Sequence, residues 1–458
     1  RPNSAVSRAL FLLKDYEGAR SAAEAALSRA PHENEIHNNL ANALKALDRK
    51  EEAEAAYRRA ISLRPEDPMA TANLADLLIA SERHEEALKY FRVAAKLEPK
   101  MQKAWNGLSI VLRELGRTEE AISALEEALG HIPGDAILES ALSQLLLDAG
   151  QLGRGWDLAE AGFACHLRRP DRHFTIPRWE GQPLSGQRLL VWREQGVGDE
   201  IRYASILADL KDLGGEIIFE AEPRLQSLFN RAYPWIDVRP EDQTKDHLRK
   251  DADFQIALAS LNRFFRRDLK DIPRKPYLVP DPEEAEVWRE RLVALGPAPR
   301  IGVCWRSGVL NRTREGERHY SPLAAWERLL RRNDVTWVSL QYGDAAPELE
   351  SMRQKLDRLP ATWDDLNQKD ELDRVAALIS QLYLIVSAPT AVSELAAFLG
   401  RPVIILAVGQ AGRDPRTFAH PLPHPWHKSR TLLRSHEESW EAMLDRLEEI
   451  VLPELGIG

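Results

Sequence analysis

Three short segments hold residues whose types and spacing could do chemistry. The first is REQGVGDE, residues 193–200. Gly196 and Gly198 allow a tight turn and the close approach of a ligand to backbone. Asp199 stands where a helix begins. An acid there has two roles open to it. It can cap free backbone N–H groups, or it can face a cleft as a general base, because a positive helix end favours the ionised form. A dinucleotide fingerprint would need a third glycine at position 201, which is Ile201, and an acid roughly 20 residues further on. Glu220 sits near that place, so the match is partial.

The second segment, IGVCWRSG, ends a strand on Arg306, and Arg312, Arg314 and Arg318 follow in one loop. An arginine at a strand's carboxyl end can clamp a phosphate through paired N–H bonds. Glu315 and Glu317 offset the other three, which fits a solvated loop. The third segment is SAPTAVSE, residues 387–394. Thr390 and Ser393 lie at a helix start, where backbone N–H groups and the helix dipole favour a phosphate. Glu394, in the first turn, either hydrogen-bonds a ribose diol or complements the dipole. Cys165 and Cys304 are the two cysteines, and neither has a metal-ligand spacing. No metal site is expected.

These segments need a frame that brings them together. After Arg169 short apolar runs alternate with amphipathic stretches. The runs are Leu189–Trp192, Ile217–Glu220, Ile236–Arg239, Phe254–Ala257, Ile301–Trp305, Trp337–Gln341, Leu384–Val386 and Val403–Leu406. Helical stretches such as Ala204–Leu213 and Leu323–Arg332 lie between them. This alternation predicts parallel sheets covered by helices. One sheet is expected at about 188–280 and a second at about 298–432, with a proline- and glycine-rich linker before them. Ligands bind outside the carboxyl ends of parallel strands. The loops REQGVGDE, RSGVLNRTREGERHYS, QYGDAAPE and SAPTAVSE should therefore share one cleft.

The first third of the chain is a repeat. Pro31, Pro65, Pro99 and Pro133 recur every 34 residues. Ala53, Ala87 and Ala121 keep that period, as do Ala60, Ala94 and Ala128, and Tyr57, Phe91 and Leu125 share a further slot. Small residues let the two helices of each unit approach closely, and a 34-residue helix-turn-helix is the tetratricopeptide pattern. Three units are clear. Residues 1–30 form a partial unit, and residues 133–166 form a looser fourth with Gly155 in an alanine slot. Asn39 and Asn73 fall on the helix that lines the concave face. They can hold a peptide backbone, since each amide offers donor and acceptor, or they can bridge neighbouring helices. The third unit has Asn106 one position early and Gly107 in the slot.

Composition narrows the function classes. Hydrophobic residues make up 44% and charged residues 29% of 458, as in a water-soluble globular protein. A net charge of −9 with no long basic tract argues against a nucleic-acid partner. Two cysteines exclude a disulfide framework and favour a reducing, cytoplasmic location. No apolar run reaches the roughly 18–20 residues of a membrane span. The sequence opens on Arg1 without Met or a signal pattern, as a trimmed fragment would.

Four segments carry a resemblance to a known family: WEGQPLSGQRLLVWREQGVGDEIRYASIL, IGVCWRSG with YSPLAAWERLL, WVSLQYGD, and ELDRVAALISQLYLIVSAPTAVSELAAFLGRPVIIL. Residues from about 179 to 430 resemble a GT-B glycosyltransferase of the heptosyltransferase-like kind, in the branch that follows a tetratricopeptide array in bacterial proteins. The resemblance implies an α-solenoid followed by an α/β GT-B fold of two Rossmann-like domains. The expected parts are a repeat array at 1–168, a linker at 169–187, an acceptor domain at 188–282 and a nucleotide-sugar domain at 283–458 with a terminal helix. It implies inverting, metal-independent transfer with Asp199 as the base and Gly196 and Gly198 on the acceptor side. Arg306, Thr390, Ser393 and Glu394 would meet the donor, a CMP- or UDP-linked sugar that is substrate rather than cofactor. The layout also resembles bacterial glycosyltransferases that modify flagellin, whose repeats recruit the protein acceptor at a Ser or Thr. The family often has aspartate where this chain has Pro389 and histidine where it has Glu394. Two other readings stay open, a repeat adaptor on a degenerate scaffold and a transferase acting on a surface glycan.

Overall fold

The computed structural model describes residues 2–170, 172–296, 299–307, 320–408, 426–428, 430–434, 438–454 and 456–457. Arg312, Arg314, Arg318, Glu315 and Glu317 lie outside the described residues. The chain divides into two compact units, Arg1–Leu146 and Leu147–Gly458.

The first unit is a row of antiparallel helix pairs. The clear repeats are Asn34–Ala46 with Lys50–Leu63, Pro68–Ala80 with His84–Leu97, and Gln102–Glu114 with Thr118–His131. Each second helix stops two residues before its repeat proline, because proline cannot donate the next ladder bond. Asp67 starts one helix by accepting from the backbone N–H of Met69 and Ala70 at 3.0 and 3.1 Å, with Pro68 in the first turn. The six periodic alanines are fully buried at the helix crossings. Phe91, also buried, explains a break in the asparagine column. A Cβ on Gly107 would lie 2.3 Å from its ring, so the slot is filled from the neighbouring helix.

The second unit holds nine parallel strands in two sheets among the described residues. The first sheet has β1 (Arg188–Trp192), β2 (Glu216–Ala221), β3 (Asp237–Pro240) and β4 (Phe254–Ala257), in the order β3-β2-β1-β4. The second has β5 (Arg300–Cys304), β6 (Thr336–Ser339), β7 (Leu384–Ser387), β8 (Val403–Val408) and β9 (Arg430–Arg434), in the order β6-β5-β7-β8-β9. β1, β5, β6 and β7 are buried almost end to end. Strands covered on both faces read as unbroken apolar runs for that reason, and each buried Leu, Ile or Val contributes about 1.5–3 kcal/mol. Residues 147–158, read in sequence as part of a fourth repeat, pack here: Leu147, Leu152 and Trp156 join the core that contains Leu189 and Val191. The linker is stitched along β4. Trp179 N–H donates to the Gln255 carbonyl at 2.9 Å, and Gln255 N–H donates to the Pro177 carbonyl at 3.0 Å.

The two free thiols differ in reach. Cys304 is fully buried at the end of β5, and burial pushes its thiol up to about 11, whereas Cys165 is partly exposed. Since the thiolate is the reactive form, native protein treated with iodoacetamide at neutral pH should gain one adduct, on Cys165. Peptide mapping that finds Cys304 modified first would contradict this burial.

Candidate functional site

In each sheet the chain changes direction next to its first strand. β1 lies between β2 and β4, and β5 lies between β6 and β7. Crevices at such switch points are where open parallel sheets bind ligands. A cavity of about 450 Å³ lies there, lined by residues from the loops after β1, β2, β5, β6 and β7. Its walls include Gly198, Asp199, Arg202, Arg224, Ser307, Tyr342, Lys369, Thr390 and Glu394.

Asp199 is the third residue of the helix Val197–Ala204. Its side chain is 39% exposed and stands 3.5 Å from the Arg202 guanidinium. No bond to the N–H groups of its own helix occurs among the described residues, so the capping role is not the one its carboxylate takes up. Neither glycine supplies the left-handed residue of the turn. Gly196 has φ −85°, open to any residue, and the left-handed position of the turn is Gln195 at φ 64°. Gly198 lines the cavity, and a Cβ there would make ordinary contact, 3.4 Å from Cα and 3.5 Å from N of Ala391. The start of Val197–Ala204 lies against the start of the helix Ala391–Phe398.

That second helix begins with a capping box. Thr390 Oγ accepts from Val392 N–H at 3.3 Å, and Thr390 N–H donates to Ser393 Oγ at 3.2 Å. Thr390 faces the cavity. Ser393 is buried, donates to the Thr390 carbonyl at 2.7 Å and is not among the lining residues. Glu394 lines the cavity from beneath, and its Oε1 accepts from Arg202 at 2.5 Å, with His427 Nε2 at 3.5 Å from Oε2. Burial alone would raise the Glu394 carboxyl, but Arg202 and His427 outweigh it and hold the group well below the usual carboxylate range. The ribose-binding role expected for Glu394 therefore shares its carboxylate with a buried ion pair.

Arg306 does not line the cavity. Its guanidinium is held by Glu348 at 2.6–3.0 Å and by the Asp344 carbonyl at 3.0 Å. Gln341, from the QYGD loop, pins the same backbone by accepting from Trp305 and Arg306 N–H at 3.1 and 3.0 Å. Glu220 is likewise occupied: Arg172 of the linker stands 2.7 Å from it, and Arg249 bonds its other oxygen. Both oxygens of Glu220 are thus committed to arginines. Sequence reasoning missed Arg202, Arg224 and Lys369. The signal for Arg224 was its place, four residues past Glu220 in the turn after β2.

In the first unit Asn39 and Asn73 line one hollow of about 720 Å³ together with Asn38, Asn42, Lys45 and Lys103. Asn73 also bridges repeats, donating to Asn38 Oδ1 at 2.9 Å and accepting from Lys103. Among the described residues no cluster of three His, Cys, Asp or Glu is arranged for a metal ion, and no helix is long and apolar enough to cross a membrane.

Residues 35–67 and 72–136 match tetratricopeptide repeat family models, so this segment is a tetratricopeptide array. The chain is similar to Protein FlbA of Caulobacter vibrioides (strain ATCC 19089 / CIP 103742 / CB 15), 31% identical over 347 residues. That match covers 70% of this chain and 56% of FlbA, so the chain spans little more than half of this relative's length. Among solved structures it is similar to a thermophilic tetratricopeptide protein of Thermus thermophilus, at 22% identity and TM-score 0.31, over 35% of this chain and 89% of that one. It is also similar to pilF of Pseudomonas aeruginosa, at 16% identity and TM-score 0.37, over 51% and 91%.

Proposed function

We propose that the second unit is a GT-B glycosyltransferase that moves a sugar from a nucleotide-sugar to a hydroxyl of a protein, and that the tetratricopeptide array recruits that protein in the cytoplasm. The observation that carries this reading is the meeting of Asp199 with the helix start at Thr390 on one cavity, at the carboxyl ends of both sheets. Asp199 takes the proton of a Ser or Thr hydroxyl. The oxygen forms a bond to the anomeric carbon, and the bond to the phosphate oxygen breaks with inversion. The nucleoside phosphate leaves with the electron pair, its charge met by the positive N-terminal end of the Ala391–Phe398 helix and by cations of the cavity. The flagellin-like acceptor implied by the sequence resemblance fits a repeat array better than a surface glycan does, because a saccharide needs no peptide groove.

A second reading, a repeat adaptor on a non-catalytic scaffold, is favoured by Glu394 and Arg306 both being tied into ion pairs. One experiment separates the two. A candidate acceptor is coexpressed with and without this chain, and its intact mass is measured. A discrete increment equal to a glycosyl residue is expected, and its size names the sugar. An unchanged mass across candidate acceptors, with no heat on titrating UDP-, GDP-, ADP- or CMP-sugars, would leave the adaptor reading.

A further inference from the structure

The cavity's charges are spoken for unevenly. Three cations, Arg202, Arg224 and Lys369, face it, against the carboxylates of Asp199 and Glu394. Arg202 lies between those two carboxylates, 3.5 Å from Asp199 and 2.5 Å from Glu394, and its side chain is only 9% exposed. It has little left for a ligand. Arg306, the cation that the sequence offers for a phosphate, turns to Glu348.

Arg224 is ion-paired as well, 2.7 Å from Glu222 and 3.9 Å from Asp370, but one nitrogen of its guanidinium is left over. It sits in the turn Pro223–Leu225 after β2. Its Nε donates to Glu222 Oε1 at 2.7 Å, and its Nη1 donates to the Lys369 carbonyl at 2.8 Å. Two edges of the guanidinium are thus fixed, and Nη2, with two N–H groups, has no protein partner among the described residues. A guanidinium already held in place loses little freedom when it binds an anion. The bond to its carbonyl also brings Lys369 alongside. Lys369 is exposed, and its ammonium has no carboxylate partner among the described residues.

We infer that Arg224 and Lys369 form the anion-binding pair of this cavity and take the phosphate or diphosphate of the donor. This rests on the transferase reading for the identity of the anion, but not for the existence of the site. Arg224 supplies direction through a planar pair of N–H groups, and Lys369 supplies a mobile point charge at the rim.

The test is calorimetric titration of the full chain with inorganic pyrophosphate at low and high salt. Binding to the wild type is expected, weakening with salt. Arg224→Met should weaken it about 10- to 100-fold, the worth of a charge-assisted bond. Arg224→Lys should recover part of that loss. Lys369→Met, at an exposed position that the fold does not need, should weaken binding less and flatten the salt dependence. The inference is overturned if the wild type takes up no pyrophosphate, if Arg224→Met and Lys369→Met both bind like the wild type, or if Arg306→Met alone removes binding. Failure of the transferase reading would look different: pyrophosphate still binds through this pair, but no acceptor gains mass.

Discussion

Asp199→Asn should cut sugar transfer by about 10²- to 10⁴-fold, the usual worth of a general base, and leave donor binding within about twofold. Asparagine keeps the size and one oxygen of aspartate but cannot take the acceptor's proton. The fold should tolerate the change. The side chain is 39% exposed, and Arg202 keeps its shorter bond to Glu394. The loss should therefore fall on kcat. Single-turnover transfer to the coexpressed acceptor, read by mass, gives the rate, and calorimetry with the donor gives the affinity. Full transfer by the Asn variant would remove Asp199 from the mechanism and leave it as a partner of Arg202.

The second large effect concerns stability. Glu394 and Arg202 are both buried, and their ion pair joins the helix Val197–Ala204 to the helix Ala391–Phe398. Removing one partner strands a charge out of water, which costs about 3–5 kcal/mol. Glu394→Ala and Arg202→Ala should each destabilise the α/β unit by that amount, read as a lower denaturant midpoint. Arg202→Met with Glu394→Leu should lose much less, because no lone charge remains. The pH dependence has a fixed sign. The folded-state carboxyl of Glu394 is held below its unfolded value, so its contribution is complete above about pH 4.3 and is lost as pH falls below that. Urea unfolding at about pH 6 and about pH 3.5 should show a steeper acid loss for the wild type than for Glu394→Gln. Equal slopes would mean that folding leaves the Glu394 carboxyl where it stands in the unfolded chain, and a shallower acid loss for the wild type would mean that folding raises it.

Much of the scaffold is legible in the residues. The eight strands read as apolar runs are all strands, with ends shifted by a few residues, and the reading was plainest for β1, β5, β6 and β7, where burial on both faces leaves no polar alternation. β9 escaped. It is the edge of its sheet, and RTLLR has only two apolar residues between arginines. The stretch Ala204–Leu213, read as one helix, is the end of an α-helix followed by a 3₁₀ segment over Ser205–Leu213. The chemistry was legible where a loop joins a strand to a helix. There the topology alone brings Asp199, Thr390 and Glu394 to one place. It was not legible where a partner from far along the chain decides a side chain's direction. Arg306 meets Glu348, 42 residues later, and Arg202 meets Glu394, 192 residues later. Arg224 and Lys369 lie in EPRL and NQKDE, polar stretches that look solvated until the fold brings them together.

The strip of linker along β4 has one more consequence, for anyone who would cut the chain in two. A cut at Arg188 follows the first strand of the α/β pattern, but it strips Pro177 and Trp179 from the backbone of Gln255. It also takes Arg172 from Glu220 and Arg168 from Glu194, leaving buried carboxylates with fewer counter-charges. A bare strand edge is a template for pairing with other chains, so such a fragment would self-associate. The natural seam is at Leu147, where the compact units divide. The segment from Leu147 to Gln187 belongs to the α/β half as its selvedge, the woven border that keeps an open sheet from fraying into its neighbours.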